Sequence, residues 1–226
     1  MIEFFQAGGW LMVPIVLSSI LAMAIIMERG LSLRTARIIP RKDIQQARKL
    51  AKTETASSKA ITALSHHSLI GQVLSTVLVS HHLPRHVIKE NVEEAGRHVV
   101  HEMEHYMTAL GTIAAITPLM GLLGTVLGMI QVFSVITEIG VGNPTDLAGG
   151  ISQALITTAA GISVAIISLI FHRYFKAKVD DYIMIMEKEA ITLIEIVNNV
   201  NKRKAKANTA QALQQKQAAL LAEKKS

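Results

Sequence analysis

No cysteine occurs in the 226 residues of this chain, which excludes a disulfide framework, a thiolate metal site and a cysteine nucleophile together. Aromatic residues make up only 4%. A net charge of +6 and a pI near 9.6 would suit a nucleic-acid binder, but so few aromatics and a mean hydropathy of +0.36 argue against a soluble basic reader of bases. Charge is missing altogether from three long stretches, residues 10–27, 106–136 and 147–171. Each is close to or beyond the roughly 20 apolar residues that a helix needs to cross a bilayer. The chain therefore reads as an all-α membrane protein with three transmembrane helices. The leader 1–9 has no Lys or Arg and carries Glu3, unlike the positive start of a cleaved signal peptide, so the first span is expected to stay as an anchor.

Positive charge is present, and its distribution orients the spans. Residues 28–105 hold 12 Lys and Arg, and residues 173–226 hold the other 11. Positive loops stay on the cytosolic side. The expected topology is an extracytoplasmic N-terminus 1–9, a first span 10–28, a cytosolic helical domain 29–105, a second span 106–136, an extracytoplasmic loop 137–146, a third span 147–171, a cytosolic helix 172–200 and a polar tail 201–226. Trp10, Tyr106 and Tyr174 stand near span ends as interfacial anchors do. The basic runs Arg41-Lys42 and Lys202-Arg203-Lys204 fit topology signals or anionic-lipid contacts better than nucleic-acid sites.

Helical periodicity runs past the membrane. Ile88, Val92, Ala95, Val99 and Met103 recur at spacings of four and three, and no Gly or Pro separates them from the second span, which predicts one helix over 84–136. Phe175, Val179, Tyr182, Met186, Ala190, Leu193 and Val197 carry the third span onward in the same way. Residues 45–52 and 60–64 are further helix formers, with the polar run 53–58 as their loop, and together these segments predict a cytosolic bundle. The tail, rich in Ala, Gln and Lys, is either a solvated helix or disordered.

Inside the spans the informative residues are small or hydroxylated. At 100° per residue, Gly150, Gln153, Ala154, Thr157, Thr158, Gly161, Ala165 and Ser168 share one arc of the third span, with Ile151, Leu155, Ile162, Ile166 and Leu169 opposite. Ala114, Thr117, Pro118, Gly121, Gly124, Thr125 and Gly128 form a similar face on the second. Small faces let helix backbones approach, and Gly124/Gly128 is a G-x-x-x-G pair. Two readings stay open for the hydroxyls: bonds back to their own helix carbonyls, or a polar lining in which Thr125 and Thr158 sit at mid-span. No Asp, Glu, Lys, Arg or His lies within 10–27, 106–136 or 147–171. Since intramembrane carboxylates are the usual mark of proton relays, a partner would have to supply one if this chain conducts protons.

Three motifs resemble the MotA/TolQ/ExbB channel family, and ExbB-type proteins in particular. They are Gly8-Gly9-Trp10-Leu11-Met12-Val13-Pro14-Ile15 with Met27-Glu28-Arg29 in the first span, Pro118-Leu119-Met120-Gly121-Leu122-Leu123-Gly124-Thr125-Val126-Leu127-Gly128-Met129 in the second, and Gly150-Ile151-Ser152-Gln153-Ala154-Leu155-Ile156-Thr157-Thr158-Ala159-Ala160-Gly161 in the third. The resemblance implies a pentameric ring of this chain around two copies of a single-span ExbD-like partner whose membrane Asp carries the ion. Thr125 and Thr158 match the family's pore-lining threonines. The ring would sit in the bacterial inner membrane and pass work to a TonB-like protein that energises outer-membrane uptake. The chain departs from the pattern at Gln153, where many members have Glu, and at Ile167, where many have Pro. Gln153 cannot titrate. It either bridges neighbouring helices or joins Thr157 and Thr158 as an oxygen ligand, which admits Na⁺ as well as H⁺.

Other assignments are a TolQ-like or MotA-like stator for envelope constriction or motility, and a passive scaffold packed through the small faces. His101-Glu102-Met103-Glu104-His105 also fits the zinc-protease pattern H-E-x-x-H, with His98 nearby. Five letters match easily among nine His, so no enzyme and no bound metal or cofactor is expected. His66, His67, His81, His82 and His86 are expected on the cytosolic surface.

Overall fold

The computed structural model describes residues 8–53, 57–140 and 144–223. Readings that fall on the leader 1–7, on 54–56, on 141–143 or on 224–226 lie outside the described residues. Among those described, the elements are α1 (Met12–Ser32), α2 (Thr35–Ile38), α3 (Arg41–Lys52), α4 (Ser58–His67), α5 (Leu69–Val79), α6 (Arg85–Met103), α7 (Met107–Ile139) and α8 (Pro144–Glu223), with no strand. Three helical segments, Met12–Ser32, Met107–Thr137 and one starting at Leu147 within α8, are long and apolar enough to cross a membrane.

The chain divides into two units, the first built from α1, α7 and α8 as far as Lys178, the second from α2 to α6 and α8 from Val179. In the first unit, α1 follows a turn at Gly9, whose φ of +66° suits a residue without a side chain. Met12, Ile15, Ala22, Ile26 and Arg29 are its buried positions. They recur at helical spacing, so one stripe of α1 packs inward while Leu17, Ile20, Leu21 and Met27 stay exposed on the protein surface. Buried Arg29 pairs with Glu28, its Nη2 donating to Oε1 at 2.7 Å. Its guanidinium also lies 5.6 Å from the centroid of the Tyr106 ring, a cation–π distance.

That tyrosine marks a departure from the helix expected over 84–136. The helix stops at Met103, turns through residues 104–106, and restarts as α7 at Met107. Tyr106 holds a left-handed φ of 61° and is the sole non-glycine residue with positive φ among those described. The conformation costs about 1–2 kcal/mol, offset in part by the Arg29 contact and by the edge-on His105 ring, 4.0 Å from that of Tyr106. At the other end of α7, Gly140 with φ +77° ends the helix and Pro144 opens α8, the preferred residues for those positions. Residues 137–139 and 144–146 of the stretch expected outside the membrane are thus helical.

The second unit is packed as a water-soluble bundle is. α5 is its centre, with Ile70, Val73, Leu74, Val77 and Leu78 buried, and Leu64 of α4, Ile88 and Val99 of α6 and Val179, Tyr182, Leu193 and Val197 of α8 are buried with them. Polar ties fix the surrounding helices. Ser68 caps α5 by accepting from the Gly71 amide at 3.1 Å, and buried Asp43 of α3 accepts from the Ser68 hydroxyl. Arg48 Nη2 donates to Glu189 Oε2 at 2.6 Å, Thr35 Oγ1 and Tyr182 OH are 2.9 Å apart, and Asn201 Nδ2 donates to the His81 carbonyl at 2.6 Å. Helix α8 continues to Glu223, which decides the tail in favour of helix over its described length.

Candidate functional site

The two small-residue faces meet each other. Helices α7 and α8 run antiparallel, and the residues opposite one another form a ladder. A Cβ on Gly150 would lie 2.5 Å from Val132 Cγ2, one on Gly128 2.9 Å from the Ala154 side chain, and one on Gly124 would overlap the Thr157 hydroxyl. Where backbone faces backbone, a Cβ on Gly121 would be 2.9 Å from the Thr158 Cα and one on Gly161 would be 2.5 Å from the Thr117 carbonyl oxygen. Any side chain there would push backbone from backbone, which is why glycine occupies these positions. Ala165 and Ala154 are buried on the same face. Pro118 stands inside α7, where it has no amide hydrogen to give the Ala114 carbonyl.

The hydroxyls divide by what they bond. Thr158 Oγ1 crosses the interface and donates to the Gly121 carbonyl at 2.8 Å. Thr157, fully buried, donates back to Gln153 and Ala154 carbonyls at 3.0 and 2.9 Å. Thr117 bonds to Ile113 at 2.8 Å and Thr125 to Leu122 at 2.6 Å, each within its own helix. Gly124 faces Thr157 and Gly121 faces Thr158, so in this antiparallel pair Thr125 and Thr158 stand about one turn apart along the ladder. Thr125 is half-buried and Thr158 likewise, which leaves both partly open to whatever lies beside the helix pair.

Gln153 has a contact that helical periodicity does not reveal. Its side-chain amide lies over the backbone of Gly9, and a Cβ on Gly9 would overlap Gln153 Nε2. The turn before α1 therefore covers this residue, and Gly8 brings the same turn to within 3.5 Å of the Thr157 methyl by the same measure. The signal is present in the sequence as Gly8-Gly9, two residues able to approach another chain segment closely, but nothing in one sequence names the segment. Two further residues of the interface are equally hidden. His172 packs against Gly111, where a Cβ would meet its Nε2 at 3.0 Å, and Ser168 is fully buried with no hydrogen-bond partner for its Oγ among the described residues.

The zinc-protease pattern does not form. His101 lies in the last turn of α6 while His105 lies in the turn beyond Met103, so the two are not on successive turns of one helix. Among the described residues no group of three or more His, Asp or Glu is placed to hold a metal ion.

The family model described as the MotA/TolQ/ExbB proton channel family matches residues 63–188, which include the whole ladder. The chain belongs to the MotA/TolQ/ExbB proton channel family. It is a multi-pass membrane protein of a channel family rather than of an enzyme family. Among its relatives, the putative biopolymer transport protein ExbB-like 1 of Synechocystis is 33% identical over 76% of this chain and 69% of its own length. The ExbB-like 3 protein of the same organism is 27% identical over 76% of this chain and 83% of its own. Biopolymer transport protein exbB1 of Vibrio cholerae is 29% identical over 71% and 72%. The family match begins within α4, so the likeness seen at residues 8–15 and 27–29 lies outside it.

Proposed function

We propose that this chain is the ion-conducting ring subunit of an ExbB-type motor in the bacterial inner membrane, turning an ion gradient into work for transport at the outer membrane. The observation that carries the reading is the Thr158–Gly121 bond: a hydroxyl bonded across the interface of two spans that contain no Asp, Glu, Lys, Arg or His of their own. Such a wall is suited to a neutralised carboxylate sliding past. An unpaired charge in the bilayer costs several kcal/mol, so the carboxylate must take up a proton or cation before it passes, and hydroxyls on successive turns offer the polar contacts where the exchange occurs. The charge-free spans require that carboxylate to come from a partner. A single-span ExbD-like protein carrying a membrane Asp, two copies within a pentamer of this chain, fits the requirement, with a TonB-like protein receiving the work.

Thr125, Thr158, Thr157 and Gln153 are the proposed lining, the first two facing the ion and the last two holding the wall in shape. The ion is H⁺, or Na⁺ if the oxygen atoms here act as its ligands. The positive charge of residues 28–105 and 173–226 supports an N-terminus in the periplasm and a tail in the cytosol. Support comes from the ExbB names of the relatives and from their coverage of the spans. The test is native mass spectrometry of the chain purified in mild detergent from its own membranes. Five copies with two of a small single-span protein bearing an intramembrane Asp is the expected mass. A monomer, or a ring whose partner has no membrane carboxylate, would overturn the reading.

A further inference from the structure

Below the threonine level, the α7/α8 interface has a polar feature that ion conduction through Thr125 and Thr158 does not use. Ser168 is 1% exposed, and its Oγ has no hydrogen-bond partner among the described residues. The other buried hydroxyls of the ladder, Thr117 and Thr157, fold back onto carbonyls of their own helix. Ser168 does not. Its position on α8 falls between Gly161, which meets Thr117, and His172, which meets Gly111. The antiparallel register therefore sets Ser168 opposite Ala114, which is buried on the facing helix. Ala114 owns the carbonyl that Pro118 cannot serve with an amide hydrogen. One turn further along α8, the half-buried His172 ring rests in the notch left by Gly111.

Three polar groups thus lie at neighbouring levels of one apolar interface: a hydroxyl with no partner among the described residues, a carbonyl that Pro118 cannot serve, and an imidazole. Leaving such groups unpaired in a low-dielectric interior costs about 1–3 kcal/mol each, and buried sites with two to four polar partners are where single waters bind. We propose that Ser168, the Ala114 carbonyl and His172 hold a bound water, and that this water forms the end station of the ion path on the side of the membrane to which His172 belongs. The second half of the statement rests on the proposed function; the first does not. Gly111 keeps the ring from blocking the station, and His172 is the residue through which the bound water reaches bulk solvent.

The absence of native cysteine makes the test clean. Ser168→Cys, nearly isosteric, is placed in the full chain in membrane vesicles with its native partners and treated from each side in turn with a small cationic methanethiosulfonate. Such a reagent needs a thiolate, which forms only where water reaches. Modification at least about 10-fold faster than at Leu169→Cys, on the exposed side of the same helix, is expected. His172→Phe, which keeps the ring and removes its polar atoms, should slow it about 10-fold. Equal rates at Ser168→Cys and Leu169→Cys would overturn the water, and an unchanged rate in the His172→Phe background would overturn the role of the imidazole. Ion flux measured on the same vesicles separates the two halves: modification should block it, and flux that survives complete modification overturns the path role. An unmodified wild-type complex without flux would count against the proposed function and remove the path role with it, while the labelling rates still decide the water.

Discussion

Each of the two units of this protein is held together internally, and the means are opposite. Where α7 meets α8 in the first unit, the interface is made of residues that are nearly absent: Gly121, Gly124, Gly128, Gly150, Gly161 and Ala154. In the second, the interior is filled by Leu64, Ile70, Leu74, Val77 and Leu193. The difference follows from the solvent. Lipid is as apolar as leucine, so burying large side chains between membrane helices gains little, and stability comes from close backbone approach and cross-helix hydrogen bonds. In water the same burial gains about 25 cal/mol for each Å² of apolar surface covered. The first unit accordingly leaves Leu119, Leu122, Ile130, Ile166 and Ile170 exposed on its outside, as a lipid-facing surface permits.

Substitutions that exchange the two strategies should break the units in different ways. The largest effect is expected from Gly161→Leu, because its Cβ alone would lie 2.5 Å from the Thr117 carbonyl oxygen and backbone cannot yield as a side chain does. The helices must separate, and size-exclusion chromatography should show loss of the assembled complex. The converse change, Leu74→Ala at the centre of α5, opens a cavity in a water-type core and should cost about 2–5 kcal/mol, read as a lower thermal midpoint with assembly kept. Thr158→Val removes the single described hydroxyl bond across the ladder. Membrane hydrogen bonds average about 0.6 kcal/mol, so stability should barely move even where conduction is lost. Of similar size is Arg48→Ala, which deletes a pair with Glu189 whose side chains are 43% and 17% exposed; partly solvated pairs are worth up to about 1 kcal/mol, and the midpoint should fall by about that much. A Leu74→Ala variant that dissociates, or a Gly161→Leu variant that assembles normally, would break the contrast.

The same contrast explains which features the sequence makes legible by itself. Absence of charge over 106–136 and 147–171 announces spans, and a 3.6-residue period of Gly, Ala and Thr announces the faces that meet, since both signals are local to one helix. The chain's all-helical character is legible from them, and its family from the resemblance of the motifs at 118–129 and 150–161. The partner of each face is not. That Gln153 lies under Gly9, or that His172 fits Gly111, depends on register between segments more than a hundred residues or some sixty residues apart, which a single sequence does not encode in any periodic signal. The turn at 104–106 is hidden for a different reason. It is made by Tyr106 in a left-handed conformation, with neither glycine nor proline to punctuate it, so the helical pattern of the sequence runs straight through. Ser168 likewise looks like any small residue of the stripe; only its failure to bond back to its own helix sets it apart.

In the proposed function, ions pass at the level of Thr158. Its most direct test is ion flux into vesicles containing the purified complex, wild type against Thr158→Val, under an imposed gradient, with the assembled mass checked for both. The account predicts that the valine variant assembles with unchanged mass and loses at least about nine-tenths of the flux, since the shape remains and only the hydroxyl is gone. Undiminished flux through a correctly assembled Thr158→Val complex would contradict it.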